Sequence, residues 1–255
     1  MDSNYHTHTT FCDGADSPEE LVLEAIRLGC PEIGFSGHSH LREDVCSMSE
    51  EGTLSYCREI RRLQDKYSDN IVIRLGIEHD YFSEIDTDLF EYSIGAVHFV
   101  EKDGRKYTID ESPEKFHQIV SECYGGDPYS LAEDYYALVG KLWEKTGCTV
   151  IAHFDLITKF NEADCLFDTT HPRYLAASNA ALEDLLKSPC ILEVNTGAMA
   201  RGYRKSAYPE PRLLDQWLSS GRELILSSDC HSKKNLLFSF EKYQNLPRRR
   251  TLFEA

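Results

Sequence analysis

Short apolar runs alternate with amphipathic ones along the chain. Residues 71–77, 92–97, 149–152, 191–194 and 223–228 are short and largely apolar, which predicts strands buried on both faces. Residues 4–8 and 32–36 complete a predicted set of seven. Between them lie runs with helical spacing. Residues 21–28 form one, with Ser17 as N-cap, Pro18 in the first turn, Glu20 at the capping-box position and Gly29 as the stop. Residues 53–67 form another, with Leu54, Cys57, Ile60 and Leu63 on one side and Arg58 and Arg62 opposite. Residues 112–124, 131–145, 174–186 and 211–218 read as further helices, and residues 102–110 as a loop or short hairpin. Strand and helix thus alternate about seven times, which implies a parallel sheet. The expected fold is α/β: a distorted seven-stranded β/α (TIM-like) barrel, one domain over residues 1–255. A doubly wound open sheet is the fallback, but no glycine-rich nucleotide fingerprint follows the first strand.

The polar residues that break this pattern cluster at strand ends. In Asn4-Tyr5-His6-Thr7-His8, residues two apart point the same way, so His6 and His8 project together. Asp13 follows in a turn-like Cys12-Asp13-Gly14. His38, Glu78, His98, His153, Asn195, Asp229 and His231 all fall at the carboxyl ends of later strands, the face that holds the active site of a β/α barrel. Taken singly, each histidine fits an ordinary core or loop position. Together His6, His8, Asp13, His38, Glu78, His98, His153, Asp229 and His231 make a candidate metal site. Six imidazoles and three carboxylates exceed what one ion needs, so two or three divalent ions are expected. The donors are nitrogen and oxygen, which suits Zn, Mn or Fe. Carboxylates can bridge ions, so Glu78 and Asp229 are the expected shared groups, and Glu78, Asp229 and His231 the expected catalytic residues. Three dications and three carboxylates leave a positive balance that a hydroxide and a phosphate would neutralise. The expected chemistry is attack of a metal-bridging hydroxide on a phosphate ester.

Composition narrows the partners. The 255 residues carry a net charge of -16, and the one tight basic run, Arg248-Arg249-Arg250, reads as a solvated tail. Nucleic acid is therefore not the expected partner. No apolar run reaches membrane-spanning length, and the polar start Met1-Asp2-Ser3-Asn4 does not resemble a signal peptide, so a cytoplasmic protein is expected. The nine cysteines include no C-x-x-C, and Cys30, Cys57, Cys123, Cys148 and Cys190 read as small core hydrophobes. Cys230, between Asp229 and His231, should face the other way.

The ordered series His6-Thr7-His8, Asp13-Gly14, Phe35-Ser36-Gly37-His38, Gly76-Ile77-Glu78, Gly95-Ala96-Val97-His98, Ala152-His153 and Ser228-Asp229-Cys230-His231 resembles the motifs of the PHP (polymerase and histidinol phosphatase) superfamily. Residues 109–113 and 193–196 resemble its histidinol-phosphate phosphatase branch. The resemblance implies a distorted seven-stranded barrel, a trinuclear metal site and hydrolysis of L-histidinol phosphate in histidine biosynthesis. Two features depart from the pattern. Gly37 stands where many relatives have Asp, and His40 is an additional imidazole. Phosphate recognition needs cations, for which Arg201 is the first candidate, then Lys159, with Arg204 and His40 behind. Histidinol carries an ammonium and an imidazole, so an acid should meet it, and Glu111 and Asp110 are the candidates. His79, His117 and His171 are expected to be non-ligands. The alternatives are a phosphodiesterase or exonuclease, a phosphatase for another small phosphate ester, or an inactive interaction module. A monomer or small homo-oligomer acting on a small phosphate monoester is the expected form.

Overall fold

The alternation read from the sequence is present. The computed structural model describes residues 2–253. The chain runs α1 (Pro18–Leu28), β1 (Glu32–Phe35), α2 (Glu50–Lys66), β2 (Val72–Asp80), β3 (Tyr92–Ala96), β4 (Phe99–Lys102) and β5 (Arg105–Thr108). It continues through α3 (Pro113–Cys123), α4 (Pro128–Gly140), α5 (Leu142–Thr146), β6 (Val150–Ile151), α6 (Pro172–Leu185), β7 (Ile191–Asn195), α7 (Gly197–Ala200), α8 (Pro211–Ser219) and β8 (Leu224–Ser227). Local chemistry sets the helix ends. The Ser17 hydroxyl accepts the Glu20 N–H while the Glu20 carboxylate accepts the Ser17 N–H at 3.0 Å, and Gly29 leaves α1 at φ 73°. Helix α2 begins at Glu50 rather than at 53, because Ser49 caps it by accepting the Gly52 N–H at 3.0 Å.

Six strands form one parallel sheet in the order β1-β2-β3-β6-β7-β8, and β4 and β5 form a separate antiparallel ribbon. The expected seventh strand is not a ladder strand among the described residues. Residues 4–8 make isolated bridges instead, Asn4 to Ile33 on β1 and Thr7 to Cys230 just past β8. One segment therefore touches both sheet edges. Gly34 N donates to Asn4 O at 2.8 Å, and His8 N donates to Cys230 O at 2.9 Å. Side-chain bonds interrupt the ladder: Thr7 N donates to Ser36 Oγ at 3.2 Å, and Asn4 Nδ2 donates to Ser228 Oγ at 2.7 Å.

The concave side of the sheet is filled by Tyr5, Tyr92, Ile94, Val150, Ile191, Ile225 and Leu252. The Tyr92 hydroxyl donates to Tyr5 O and lies 3.1 Å from Phe35 O. Gly76 lies against the Tyr92 ring so closely that any Cβ would overlap it. Helices α1 and α2 cover the outside of β1 and β2, where Leu21, Ile33, Phe35, Ile60, Leu63 and Leu75 pack together. Cys230 joins that layer, facing away from its neighbours as expected. A second layer, with residues of the remaining helices and of β6, β7 and β8, packs around Tyr136, Tyr174, Leu192, Leu213 and Trp217.

The basic run near the C-terminus departs from the expected solvated tail. The Arg248 side chain is 3% exposed and pairs with Asp2 at 2.6 Å. Arg250 pairs with Asp2 at 3.0 Å, and Arg249 N donates to Leu224 O at 2.9 Å. Acids at the amino-terminal end of the sheet give these cations partners, and Leu252 follows them into the inner cluster. Among the described residues, no helix is long and apolar enough to cross a membrane.

Candidate metal centre

At the carboxyl ends of the strands the nine predicted ligand side chains meet. Glu78 sits near the end of β2, and His38, three residues beyond β1, is bridged to it. His98, His153 and Asp229 each lie two residues past a strand, β3, β6 and β8 respectively. Asp229 holds φ 46°, a left-handed conformation that Asp tolerates better than most residues.

Glu78 is the hub. Its Oε1 lies 3.0 Å from His153 Nε2, 3.3 Å from His6 Nε2 and 3.4 Å from His98 Nε2. Its Oε2 lies 3.0 Å from His38 Nδ1 and 3.5 Å from His8 Nε2. Asp229 Oδ1 lies 3.1 Å from His8 Nε2 and 3.6 Å from both His6 Nε2 and His231 Nδ1. Asp13 completes the ring, 3.0 Å from His231 Nε2, 3.5 Å from His8 Nδ1 and 3.6 Å from His38 Nε2. Four donor groups result: His8, Asp13, His38 and His231; His6, Glu78 and His153; His6, His8 and Asp229; His38, Glu78 and His98. Glu78 belongs to two of these groups, the position expected of a bridging carboxylate, and Asp229 belongs to one.

The donor set fits divalent cations. His6 Nε2, His8 Nε2 and Glu78 Oε2 are buried without a hydrogen-bond partner. Leaving such atoms unsatisfied is costly, and cations held by these donor groups would satisfy them. The electrostatics point the same way. Burial works against the Glu78 carboxylate, but His6, His38 and His98 outweigh it and hold its pKa well below the usual range. Burial works against a charged His6 as well, yet Glu193, Asp229 and Glu78 raise its pKa well above the ordinary value. His8 is pushed down to about 3, first by burial and then by His231 and His38, so it is a neutral donor. The neighbouring Cys12 thiol is pushed up to about 11 by burial and then by Asp13, which leaves it protonated.

Two buried acids behind the imidazoles are absent from the predicted set. Glu193, on β7, has Oε1 2.6 Å from His6 Nδ1 and accepts the His153 N–H and the Asn195 Nδ2–H at 2.9 Å each. Asp80, at the end of β2, lies 3.1 Å from His98 Nδ1 and accepts its backbone N–H at 3.0 Å. The signal for Glu193 is present in the sequence: an acid inside an otherwise apolar strand must be paired.

A cavity of about 420 Å³ opens above the cluster. Arg201 and Lys159 line it next to the metal-ligand candidates. Arg201 Nη2 donates to Asp229 Oδ2 at 3.1 Å, and Nη1 lies 3.1 Å from His231 Nδ1. Lys159 Nζ donates to Asp110 O and Oδ2 at 2.8 and 2.9 Å. Glu43, Asp44, Asp110 and Glu111 also line the cavity. Two predicted phosphate contacts lie elsewhere. His40 does not line the cavity; its Nδ1 lies 2.9 Å from Met48 O, where it ties the base of the 41–47 loop. Arg204 is buried behind the site, paired with Asp155 at 3.2 Å and stacked over Tyr208 at 4.3 Å. A buried carboxylate holds it more strongly than an open cavity would. His79, His117 and His171 join none of the donor groups, as expected.

The family model described as PHP domain matches residues 4–232. The Schizosaccharomyces pombe protein named "Probable histidinol-phosphatase" is 29% identical over 264 residues, covering 91% of this chain and 81% of its own length. The Bacillus subtilis histidinol-phosphatase is 23% identical over 262 residues, covering 93% of this chain and 96% of its own. The crystal structure of a Lactococcus lactis histidinol phosphate phosphatase complexed with zinc, L-histidinol and phosphate superposes with a TM-score of 0.70 at 21% identity. That match covers 95% of this chain and 91% of that one. A Listeria monocytogenes structure gives a TM-score of 0.81 at 22% identity, over 94% of this chain and 99% of that one. With nine ligand-type side chains in one place and the family match spanning all of them, the chain belongs to the PHP domain family.

Proposed function

We propose that this chain hydrolyses L-histidinol phosphate to L-histidinol and phosphate, in L-histidine biosynthesis, as a single-domain metal-dependent phosphoesterase. The observation that carries the reading is Glu78, within 3.5 Å of five imidazoles at the floor of a cavity lined next by Arg201 and Lys159. His6, His8, Asp13, His38, Glu78, His98, His153, Asp229 and His231 hold two or three divalent ions, Zn, Mn or Fe. Such ions, when bound, supply Lewis-acid stabilisation of the transferring phosphoryl group and lower the pKa of water. Arg201 and Lys159 orient the non-bridging phosphate oxygens. His231, partly open to the cavity, completes the catalytic set with Glu78 and Asp229, between Asp13 and Arg201. Glu78 and Asp229 hold the charge of the centre together.

The polarity of the cavity supports the choice of substrate. Besides the metal-ligand candidates, its lining carries the cations Arg201 and Lys159 and the acids Glu43, Asp44, Asp110 and Glu111. Cations for a phosphate and acids for an ammonium in one cavity match an amino-alcohol phosphate. The relatives above are named for the same reaction. The enzyme works in the cytoplasm as a monomer or small homo-oligomer, with no nucleic acid or membrane partner. Residues 4–8 serve as the seventh strand that closes a distorted barrel.

The test is phosphate release after loading with Zn, Mn or Fe. Histidinol phosphate, a nucleoside monophosphate and single-stranded DNA are compared. Preference for histidinol phosphate is expected. Equal or greater turnover of the nucleoside monophosphate or the DNA overturns the assignment.

A further inference from the structure

Each imidazole of the centre turns at least one nitrogen toward Glu78, Asp229 or Asp13. For His6, His8, His38, His98 and His231 the other nitrogen also has a neighbour. Glu193 stands behind His6 and Asp80 behind His98. Asp13 stands beside His8 and His38, and Asp229 O beside His231. His153 is the exception. Its Nε2 lies 3.0 Å from Glu78 Oε1, but its Nδ1 is buried with no partner.

Two other buried atoms in the same region also lack partners, the Tyr208 hydroxyl and Asp155 Oδ1. Tyr208 is 1% exposed, and its ring meets that of His153 at 6.2 Å in an edge-on arrangement. The ring is held in place. Arg204 stacks on it at 4.3 Å, and its backbone exchanges two 2.9 Å bonds with Asn195 at the end of β7. Asp155 follows His153 by two residues in the same turn. Its Oδ2 is already engaged by Arg204 Nη1 at 3.2 Å and by Glu210 N at 3.0 Å, which leaves Oδ1 free. Burial pushes the Tyr208 pKa up, so the phenol remains a donor.

Three unsatisfied atoms on three neighbouring residues carry complementary chemistry: one ring N–H, one O–H and one carboxylate oxygen. Buried polar atoms of this kind are commonly satisfied by one ordered water with about three partners. We propose that Asp155 and Tyr208 position His153. One buried water accepts the His153 Nδ1–H and the Tyr208 O–H and donates to Asp155 Oδ1. The arrangement gives His153 the carboxylate backing that Glu193 gives His6 and Asp80 gives His98, with a water in between. It fixes the tautomer that points the Nε2 lone pair at the centre. It also gives Arg204 a task, since that guanidinium holds both the carboxylate and the phenol ring. The inference rests on the reading of His153 as a metal ligand.

Tyr208→Phe removes the hydroxyl and keeps the ring and its stacking. Zinc affinity is measured on the full chain by competition with a chromophoric chelator, beside kcat, KM and metal-free melting temperature. We expect one zinc site to weaken by about 10- to 100-fold. kcat should fall with it, while KM for histidinol phosphate and the metal-free melting temperature stay at the parent values. Zinc affinity within twofold of the parent overturns the proposal. So does a raised KM at unchanged zinc affinity, because the hydroxyl would then serve the substrate. A zinc-loaded crystal structure adds a check independent of the variant. A water within hydrogen-bond distance of all three atoms is expected, and its absence overturns the proposal. A parent chain that takes up no zinc would sink the metal reading itself, an outcome distinct from a Tyr208→Phe variant that matches a zinc-binding parent.

Discussion

His6 Nδ1 lies 2.6 Å from Glu193 Oε1, and neither side chain reaches solvent. Glu193 faces donors on every side: the His6 ring N–H, the His153 and Asn195 N–H groups and the Ser227 hydroxyl. An acceptor-only carboxylate suits that place, and it turns His6 Nε2 toward Glu78 and Asp229. Glu193→Gln sets an NH2 group against donors. We expect metal affinity to fall by about 10- to 100-fold and stability by about 1–3 kcal/mol. Zinc titration and urea denaturation measure the two effects. Parent values in both would reduce Glu193 to a space-filling role.

Arg201 touches the centre from the cavity side, through Asp229 and His231. Burial disfavours its charge, but Asp229 leads the carboxylates that outweigh this and raise its pKa, so it presents a full positive charge to a phosphate. Arg201→Ala should lower kcat/KM by about 100-fold, the scale of one lost oxyanion donor. Metal content should be unchanged. Steady-state kinetics with metal analysis separates the roles: if metals leave with the side chain, Arg201 holds Asp229 rather than the substrate.

His40 makes a contrasting case. Its ring ties Met48 O, its carbonyl accepts the Ser83 hydroxyl at 2.7 Å, and it lies outside the cavity lining. His40→Ala should therefore loosen the 41–47 loop at a cost of about 1 kcal/mol. Competitive inhibition by inorganic phosphate should be unchanged. A Ki raised tenfold or more would return His40 to the phosphate site.

The parts of this molecule that follow from strand periodicity are legible in the sequence alone. A side chain at a strand's carboxyl end is placed by topology, so the paths of His38, Glu78, His98, His153 and Asp229 to one mouth follow from where the apolar runs stop. Features that depend on tertiary partners were not legible. Arg204 lies only three residues from Arg201, yet Asp155 draws it behind the site. Arg248 reads as solvated until Asp2 is seen beside it. Residues 4–8 have a strand's alternation, but bonds through Thr7 and Asn4 reduce its pairing to isolated bridges. Glu193 stands in the sequence as an acid within an apolar strand, and only the fold names His6 as its partner.

Removing metal should destabilise the chain as well as silence it. The metal-free cluster leaves His6 Nε2, His8 Nε2 and Glu78 Oε2 buried and unsatisfied. Cations that bind the folded state alone stabilise it by about 4 kcal/mol at a thousandfold excess over Kd. The melting temperature should therefore fall on chelation and rise again with added zinc in a concentration-dependent way. A melting curve indifferent to chelator and to zinc would contradict a metal centre at this cluster.

Arg204 and Arg201 should differ in kind when each is removed. The Arg204 side chain is 8% exposed and Asp155 is fully buried, so Arg204→Met leaves a carboxylate without its cation in a low-dielectric interior. Breaking one partner of such a pair costs about 3–5 kcal/mol. Asp155 keeps the Glu210 N–H at 3.0 Å, which places the expected loss near the lower end. Arg201 is 31% exposed on the cavity side, and its removal should change stability by less than about 1 kcal/mol. Denaturant midpoints of the two variants, compared with their kcat/KM values, give a crossed pattern: Arg204→Met unstable, Arg201→Ala stable but slow. The reverse pattern would mean that Arg204 reads the substrate and Arg201 supports the fold.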